Sequence, residues 1–168
     1  LRNNYKKIKE IKRKYLNDKP ITFFVTGILA KKFPEIIREI HNDGNEIACH
    51  GNFHKNINKM DREYLENELD SAISNLKFAT NEKPVGFRAP NFAIDEKNFF
   101  AYEELSKRFD YDSSFKTSKS KGYYAKSNIS KLNEGKFKEY FIYCASKFFN
   151  FFKIKSVGTF LRLFPCKW

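Results

Sequence analysis

Apolar positions along this chain keep two alternating periods. Over residues 3–17, Tyr5, Ile8, Ile11, Tyr15 and Leu16 recur at helical spacing among lysines. That spacing predicts an amphipathic helix ending before Asp18-Lys19-Pro20. Residues 21–26 form a short β-branched and aromatic run between Pro20 and Gly27, the mark of a buried strand. Pro34 opens a helix containing Ile36, Ile37 and Ile40, and Gly44 stops it. Residues 46–49 read as a second strand. Asp61 reads as the N-cap of a long helix striped by Leu65, Leu69, Ile73 and Leu76. After the break at Lys83-Pro84, residues 85–87 read as a third strand, and Asp95 as the cap of a helix holding Phe99, Phe100, Tyr102 and Leu105. Residues 111–114 and 138–143 read as further strands. Between them, residues 116–131 are rich in Lys, Ser and Gly and predict an exposed loop. Residues 148–152 form an aromatic cluster without an assignable partner.

Strands alternating with helices, with connections long enough for crossovers, predict a parallel sheet with helices outside it, either open or closed into a barrel. In such folds the ligand site lies at the carboxyl ends of the strands. No internal repeat or domain-sized linker interrupts the pattern, so residues 1–168 read as one α/β domain.

Composition changes this picture little. The chain carries 32 Lys and Arg against 20 acidic residues, a net +12. The lysines are scattered among Asn and Ile through every segment, which fits solvated faces better than a nucleic-acid footprint. The denser run from Lys6 to Lys14 reads as the wet side of the first helix. No stretch is long and apolar enough to span a membrane, and no secretory signal is visible. Leu1 opens the chain and Met60 is its one methionine, so a fragment, a processed product or a trimmed chain is expected. Cys49, Cys144 and Cys166 are odd in number and lack CxxC spacing, which argues against a disulfide framework or a zinc knuckle. Buried thiols and a reducing compartment follow as the simpler expectation, with the cell envelope left open.

Two constellations carry chemistry. His50 closes the second strand, and His54 follows four residues later, after Gly51 lets the chain turn. A tight turn there sets both imidazoles on one side, as two neutral nitrogen donors for a divalent metal. Histidines four apart also arise by accident, and position at a strand's carboxyl end is what favours the metal. Cys49 is excluded as a ligand because adjacent strand residues point to opposite faces. The second constellation is Gly86-Phe87-Arg88-Ala89-Pro90-Asn91-Phe92. There a strand-end arginine can grip a carboxylate, and Pro90 stiffens a turn whose amides can face a ligand. A surface arginine beside an ordinary turn is the plainer alternative.

Three segments together resemble the polysaccharide deacetylase family, in order and spacing, over about residues 5–115. Thr22-Phe23-Phe24-Val25-Thr26-Gly27 is similar to its TFFVxG strand, residues 45–54 to its strand followed by HxxxH, and Phe87-Arg88-Ala89-Pro90 to its RxP motif. A weaker match, Gly158-Thr-Phe-Leu-Arg162-Leu-Phe-Pro165, resembles the GYFRLLP stretch of a bacterial exopolysaccharide-associated branch, with Glu139 where that branch has a glutamate.

The resemblance implies a distorted (β/α) barrel in which Asp, His and His hold one divalent metal, usually zinc. It implies hydrolysis of the acetamide of an N-acetylated glycan by a metal-bound water. An aspartate serves as base and a late histidine as acid. Carried over, His50 and His54 are metal ligands, and Arg88 orients the catalytic aspartate. The main-chain N–H of Asn91, where the family usually has Tyr, faces the oxyanion. The family's Asp-Asp-Gly strand and its terminal histidine have no match here, so the expectation is a partial barrel that binds zinc weakly and is inactive alone. Two rivals stay open. One is a deacetylase-like domain that only binds glycan. The other is a two-histidine, one-carboxylate iron site, which usually occurs on antiparallel folds.

Overall fold

The computed structural model describes residues 1–94, 99–117, 132–140 and 142–143. In chain order the elements are α1 (Arg2–Leu16), β1 (Thr22–Val25), α2 (Gly27–Lys32), α3 (Pro34–Asn42), β2 (Glu46–Cys49), α4 (Arg62–Thr80), β3 (Gly86–Phe87), α5 (Phe99–Ser106), β4 (Tyr111–Asp112), β5 (Lys116–Thr117), β6 (Lys138–Glu139) and β7 (Ile142–Tyr143). The main sheet has the order β1-β2-β3-β4-β6, and every pairing in it is parallel. This is the expected α/β architecture, an arc of parallel strands backed by helices. The arc is open among the described residues.

Side chains alternate across the sheet. Ile47, Cys49 and Phe87 point to the helices and join Leu65, Leu69, Ala72 and Leu76 of α4 in the core. Each fully buried leucine there stabilises the fold by roughly 1.5–3 kcal/mol. Thr22, Phe24, Glu46 and Tyr111 line the other, concave face together with Arg88, Ser113 and Tyr140, around a cavity of about 490 Å³. The Asp61 side chain caps α4 as expected, accepting from the Tyr64 amide at 2.8 Å. Gly44, at φ +78°, ends the turn after α3. On α5, the buried Glu104 carboxylate takes Arg62 of α4 together with Lys107 and Arg108, which ties the two helices.

Three expectations need correction. First, the run 6–14 is not simply the wet side of α1. Lys12 is 5 % exposed, and its ammonium donates to Asn45 Oδ1 at 2.5 Å. The buried stripe runs through Tyr5, Ile8 and Lys12, whereas Ile11, Tyr15 and Leu16 are exposed. Polar contacts set this rotation. The Tyr5 hydroxyl donates to Asp43 Oδ2 at 2.6 Å and accepts from Asn45 Nδ2 at 3.2 Å. Lys9 pairs with Glu39 and Asp43. Second, residues 138–143 form two strands, not one. β6 pairs with β4, and β7 with β5, because residues 113–115 already separate those two partners. Third, Lys116 and Thr117 are strand rather than loop. The short helix α2 is an addition that the pattern does not predict. The Asp95 cap, residues 118–131, the aromatic cluster 148–152, residues 158–165, Cys144 and Cys166 lie outside the described residues.

Candidate metal centre and active-site cleft

The site forms where β1, β2, β3 and β4 end. The β1–β2 pairing carries on through the His50 amide, which donates to the Val25 carbonyl at 2.9 Å. Gly51, at φ +72°, turns the chain, and His54 sits in the left-handed region at φ +58°. The two imidazoles that the sequence singles out come together: their ring centroids are 5.0 Å apart, at 74°. His50 Nδ1 lies 2.6 Å from the Arg88 carbonyl. A carbonyl can only accept, so Nδ1 carries the proton and donates it. Nε2 is left as a lone pair, the arrangement by which a metal-ligating histidine is usually oriented. Burial lowers the His50 pKa, an effect that the Arg88 carbonyl opposes and the neighbouring His54 and Arg88 charges reinforce, so the ring stays neutral at neutral pH.

Cys49 lies in the core on the opposite face, where burial pushes its thiol up to about 12. It is no ligand, as the alternation predicts. Among the described residues, no third His, Cys, Asp or Glu joins the pair to complete a metal set. The donors present therefore fit two of the positions of a divalent cation, and the tautomer of His50 suits one of them.

Arg88 reaches into the concave cleft. Its Nε donates to the Ser113 carbonyl at 2.8 Å and its Nη2 to Ser113 Oγ at 2.7 Å. The guanidinium stacks 4.0 Å over the Phe24 ring. His50 and Arg88 each follow a core-facing strand residue, Cys49 and Phe87, which are paired in register. Both therefore point to the cleft side. Beyond Pro90, Asn91 and Phe92 adopt φ 56° and 54°. The turn's own hydrogen bonds use the amides of Phe92 and Ala93, not that of Asn91. The Asn91 side chain donates to Asn56 Oδ1 at 2.7 Å. His54, Asn91 and Phe92 are thus three non-glycine residues in left-handed backbone around one cleft. Strain of about 1–3 kcal/mol per such residue tends to gather at functional sites.

Sequence reasoning did not assign a role here to Asp112 and Ser114, nor a buried pairing to Glu139. Ser114 Oγ accepts from the Ala89 amide at 2.7 Å and donates to Asp112 Oδ1 at 2.5 Å, so the turn carrying Arg88 rests on the end of β4. Asp112 and Glu139 are in register on adjacent strands. Glu139 Oε1 accepts from the Ser114 and Phe115 amides at 3.2 and 3.0 Å, and its carboxyl shares a hydrogen bond with that of Asp112. Burial, then the Asp112 charge, push Glu139 up to about 10. Burial also raises Asp112, against the hydrogen bonds it takes from Glu139 and then Ser114. The pair therefore holds a proton at neutral pH, which gives Glu139 a donor beside Asp112. In the sequence Asp112 is no more than an acid within a short strand, and Glu139 is marked by its likeness to a glutamate of the exopolysaccharide-associated branch.

This proton gives stability a pH dependence. A carboxyl raised in the folded state stabilises it fully below the unfolded value, and that contribution is lost as pH climbs toward about 10. Stability should fall across that window by at most about 1.4 kcal/mol per pH unit from this group. Glu139→Gln keeps the acceptor and adds a fixed donor. Urea unfolding at pH 5 and pH 8.5 should show a flatter profile for the variant. Parallel profiles would mean that the pair is ionised in the native state.

The model of the polysaccharide deacetylase family matches residues 2–109. A peptidoglycan deacetylase-like protein of Gibberella zeae is 34% identical over 109 residues, which cover 65% of this chain and 32% of that protein. A crystal structure from Mycobacterium smegmatis, named as a polysaccharide deacetylase, superposes with a TM-score of 0.52 at 35% identity, over 57% of this chain and 33% of that one. A family 4 carbohydrate esterase from Streptomyces lividans, in complex with acetate, has a TM-score of 0.51 over 73% of this chain and 66% of its own. At 17% identity that last likeness speaks for the fold alone. The chain spans about a third of the length of the first two relatives. The family match runs through the strand ends that carry His50, His54 and the Arg88 turn, and the chain belongs to the polysaccharide deacetylase family.

Proposed function

We propose that these residues form the metal-holding part of a hydrolase that removes acetyl groups from an N-acetylated glycan. The observation that carries this reading is the 2.6 Å contact between His50 Nδ1 and the Arg88 carbonyl, which fixes a ligand tautomer at the strand ends. His50 and His54 would hold the ion, zinc being the choice that suits two imidazole nitrogens. When bound, a divalent cation there supplies Lewis-acid polarisation of an acetamide carbonyl and an acidic water. The chain's own residues do the rest of the positioning. The Asn91 amide offers a donor toward a developing oxyanion. Among the described residues, Ser113 engages two of the three Arg88 nitrogens, and the guanidinium would steer a catalytic carboxylate through the third. A groove of about 400 Å³ beside His54, lined by Lys55, Asn56, Lys59, Met60, Asp61 and Tyr64, offers room for the sugar. The exposed Phe53 ring next to it offers a stacking face. The likeness at residues 158–165 supports an exopolysaccharide as the polymer.

The Asp-Asp-Gly strand and terminal histidine that would supply the base, the acid and the third metal ligand have no match in the 168 residues. Accordingly, the 168 residues alone should release no acetate from N-acetylglucosamine oligomers above background. The protein expressed with the sequence that flanks them in its natural reading frame should release acetate in the presence of zinc, and not after chelation. A flanked protein that holds zinc and binds the oligomers but releases no acetate from any acetylated glycan would be the glycan-binding domain instead.

A further inference from the structure

We infer that Glu68 is a positioning residue for the two histidines, a role that rests on the metal reading above and deepens it. Glu68 lies on α4 between Leu65 and Leu69, on the face that packs into the core, and is 6 % exposed. An apolar residue would suit that position, and a buried carboxylate is costly unless it is hydrogen-bonded. Both of its hydrogen bonds go to one place. Its Oε1 accepts from the Asn52 amide at 3.1 Å and the Phe53 amide at 2.7 Å, the second and third of the three residues that separate His50 from His54.

That loop has no regular structure of its own to fix it, and it bends through left-handed backbone at Gly51 and His54. Two successive amides aimed the same way make a concave anion-binding nest, and Glu68 fills it from within the fold. Both α2 and α4 hold the loop's other polar groups. The Gly27 and Ile28 amides of α2 donate to the Gly51 and Asn52 carbonyls at 2.9 and 3.2 Å, and Asn75 of α4 donates to Asn52 Oδ1 at 3.2 Å. α2 thus holds the carbonyls and α4 the amides. Glu68 is the charged group in this clamp, and it fixes where His54 stands relative to His50. Partners that orient metal ligands typically cost about 10–100-fold in metal affinity when removed.

The test uses the whole 168-residue chain, with zinc affinity measured by competition against a chromophoric chelator and amide exchange measured without metal. Glu68→Ala should weaken zinc binding about 10–100-fold and speed exchange at Asn52 and Phe53. Glu68→Gln, whose carboxamide oxygen can accept both bonds, should stay close to the parent in both readouts, and it decides the matter if the alanine variant does not fold. The inference is overturned if Glu68→Ala keeps zinc affinity and amide protection. It is equally overturned if Glu68→Gln loses affinity while both amides stay protected, since charge and not position would then be at work. If the parent binds zinc no better than a His54→Ala variant, the metal reading fails, and the exchange rates alone decide whether Glu68 holds the loop.

Discussion

Replacing either His50 or His54 with alanine should reduce zinc affinity by more than about 100-fold, beyond the loss expected from a residue that only orients a ligand. With two nitrogen donors in this part of the site, removing one leaves a single imidazole, no better than an isolated surface histidine. The fold should survive. His54 ends a loop rather than a packed element, and what His50 contributes to structure is chiefly its bond to the Arg88 carbonyl. His41 supplies the control. It sits on α3, 3.6 Å from Glu82, and has no part in the cleft. His41→Ala should bind zinc as the parent does. Chelator competition on the three variants, with thermal unfolding of each, checks this. Equal zinc affinity across all three would remove the candidate centre.

Gly27→Ala should cost about 3 kcal/mol or more in stability, at the upper end of what overpacking produces. A Cβ at Gly27 would lie 2.4 Å from Asn52 Oδ1 and 2.6 Å from the Cα of Ala72. A side-chain oxygen can swing away, but a main-chain atom inside α4 cannot, so α2 would have to lift from α4. The Gly27 amide also donates to the Gly51 carbonyl, so the lift would pull on the turn between the histidines. Stability and zinc affinity should therefore fall together. Gly44→Ala is the informative contrast. Gly44 has open space around it and φ +78°, so its cost comes from torsion alone, about 1–2 kcal/mol, and zinc affinity should not change. Urea unfolding and zinc titration of both variants separate space from torsion.

What the sequence makes legible follows from how local each signal is. β2, the cap at Asp61, the stop at Gly44 and the histidine pair each depend on a few neighbouring residues, and the structure places them as the pattern does. Gly27–Lys32 is too short for a helical period to show, so α2 is invisible. The rotation of α1 is fixed by Asp43 and Asn45, more than thirty residues away, and no periodicity within the helix records it. Glu68 and Asp112 are ordinary acids in the sequence, Glu139 shows there only as a likeness to one branch's glutamate, and only the packing of α4 and the register of two-residue strands gives them neighbours. Asn91 shows the reverse, a departure that becomes intelligible. Where the family's usual residue is Tyr, this chain has Asn at φ 56°, the residue that enters left-handed backbone most readily after glycine.

The parallel order of the main sheet has a consequence for how the site comes into being. No two neighbouring strands are joined by a hairpin, so none of its pairings can nucleate locally. The contact between His50 and the Arg88 carbonyl spans 38 residues, and the two strand ends meet only after α4 has closed the crossover between them. Ala89 then waits on Ser114, a further 25 residues along. Such long closures come late and slowly. The two imidazoles are near neighbours from the moment of synthesis, but the carbonyl that sets the His50 tautomer arrives only with the third strand. A metal site built on these two histidines would thus be a product of finished folding rather than its seed.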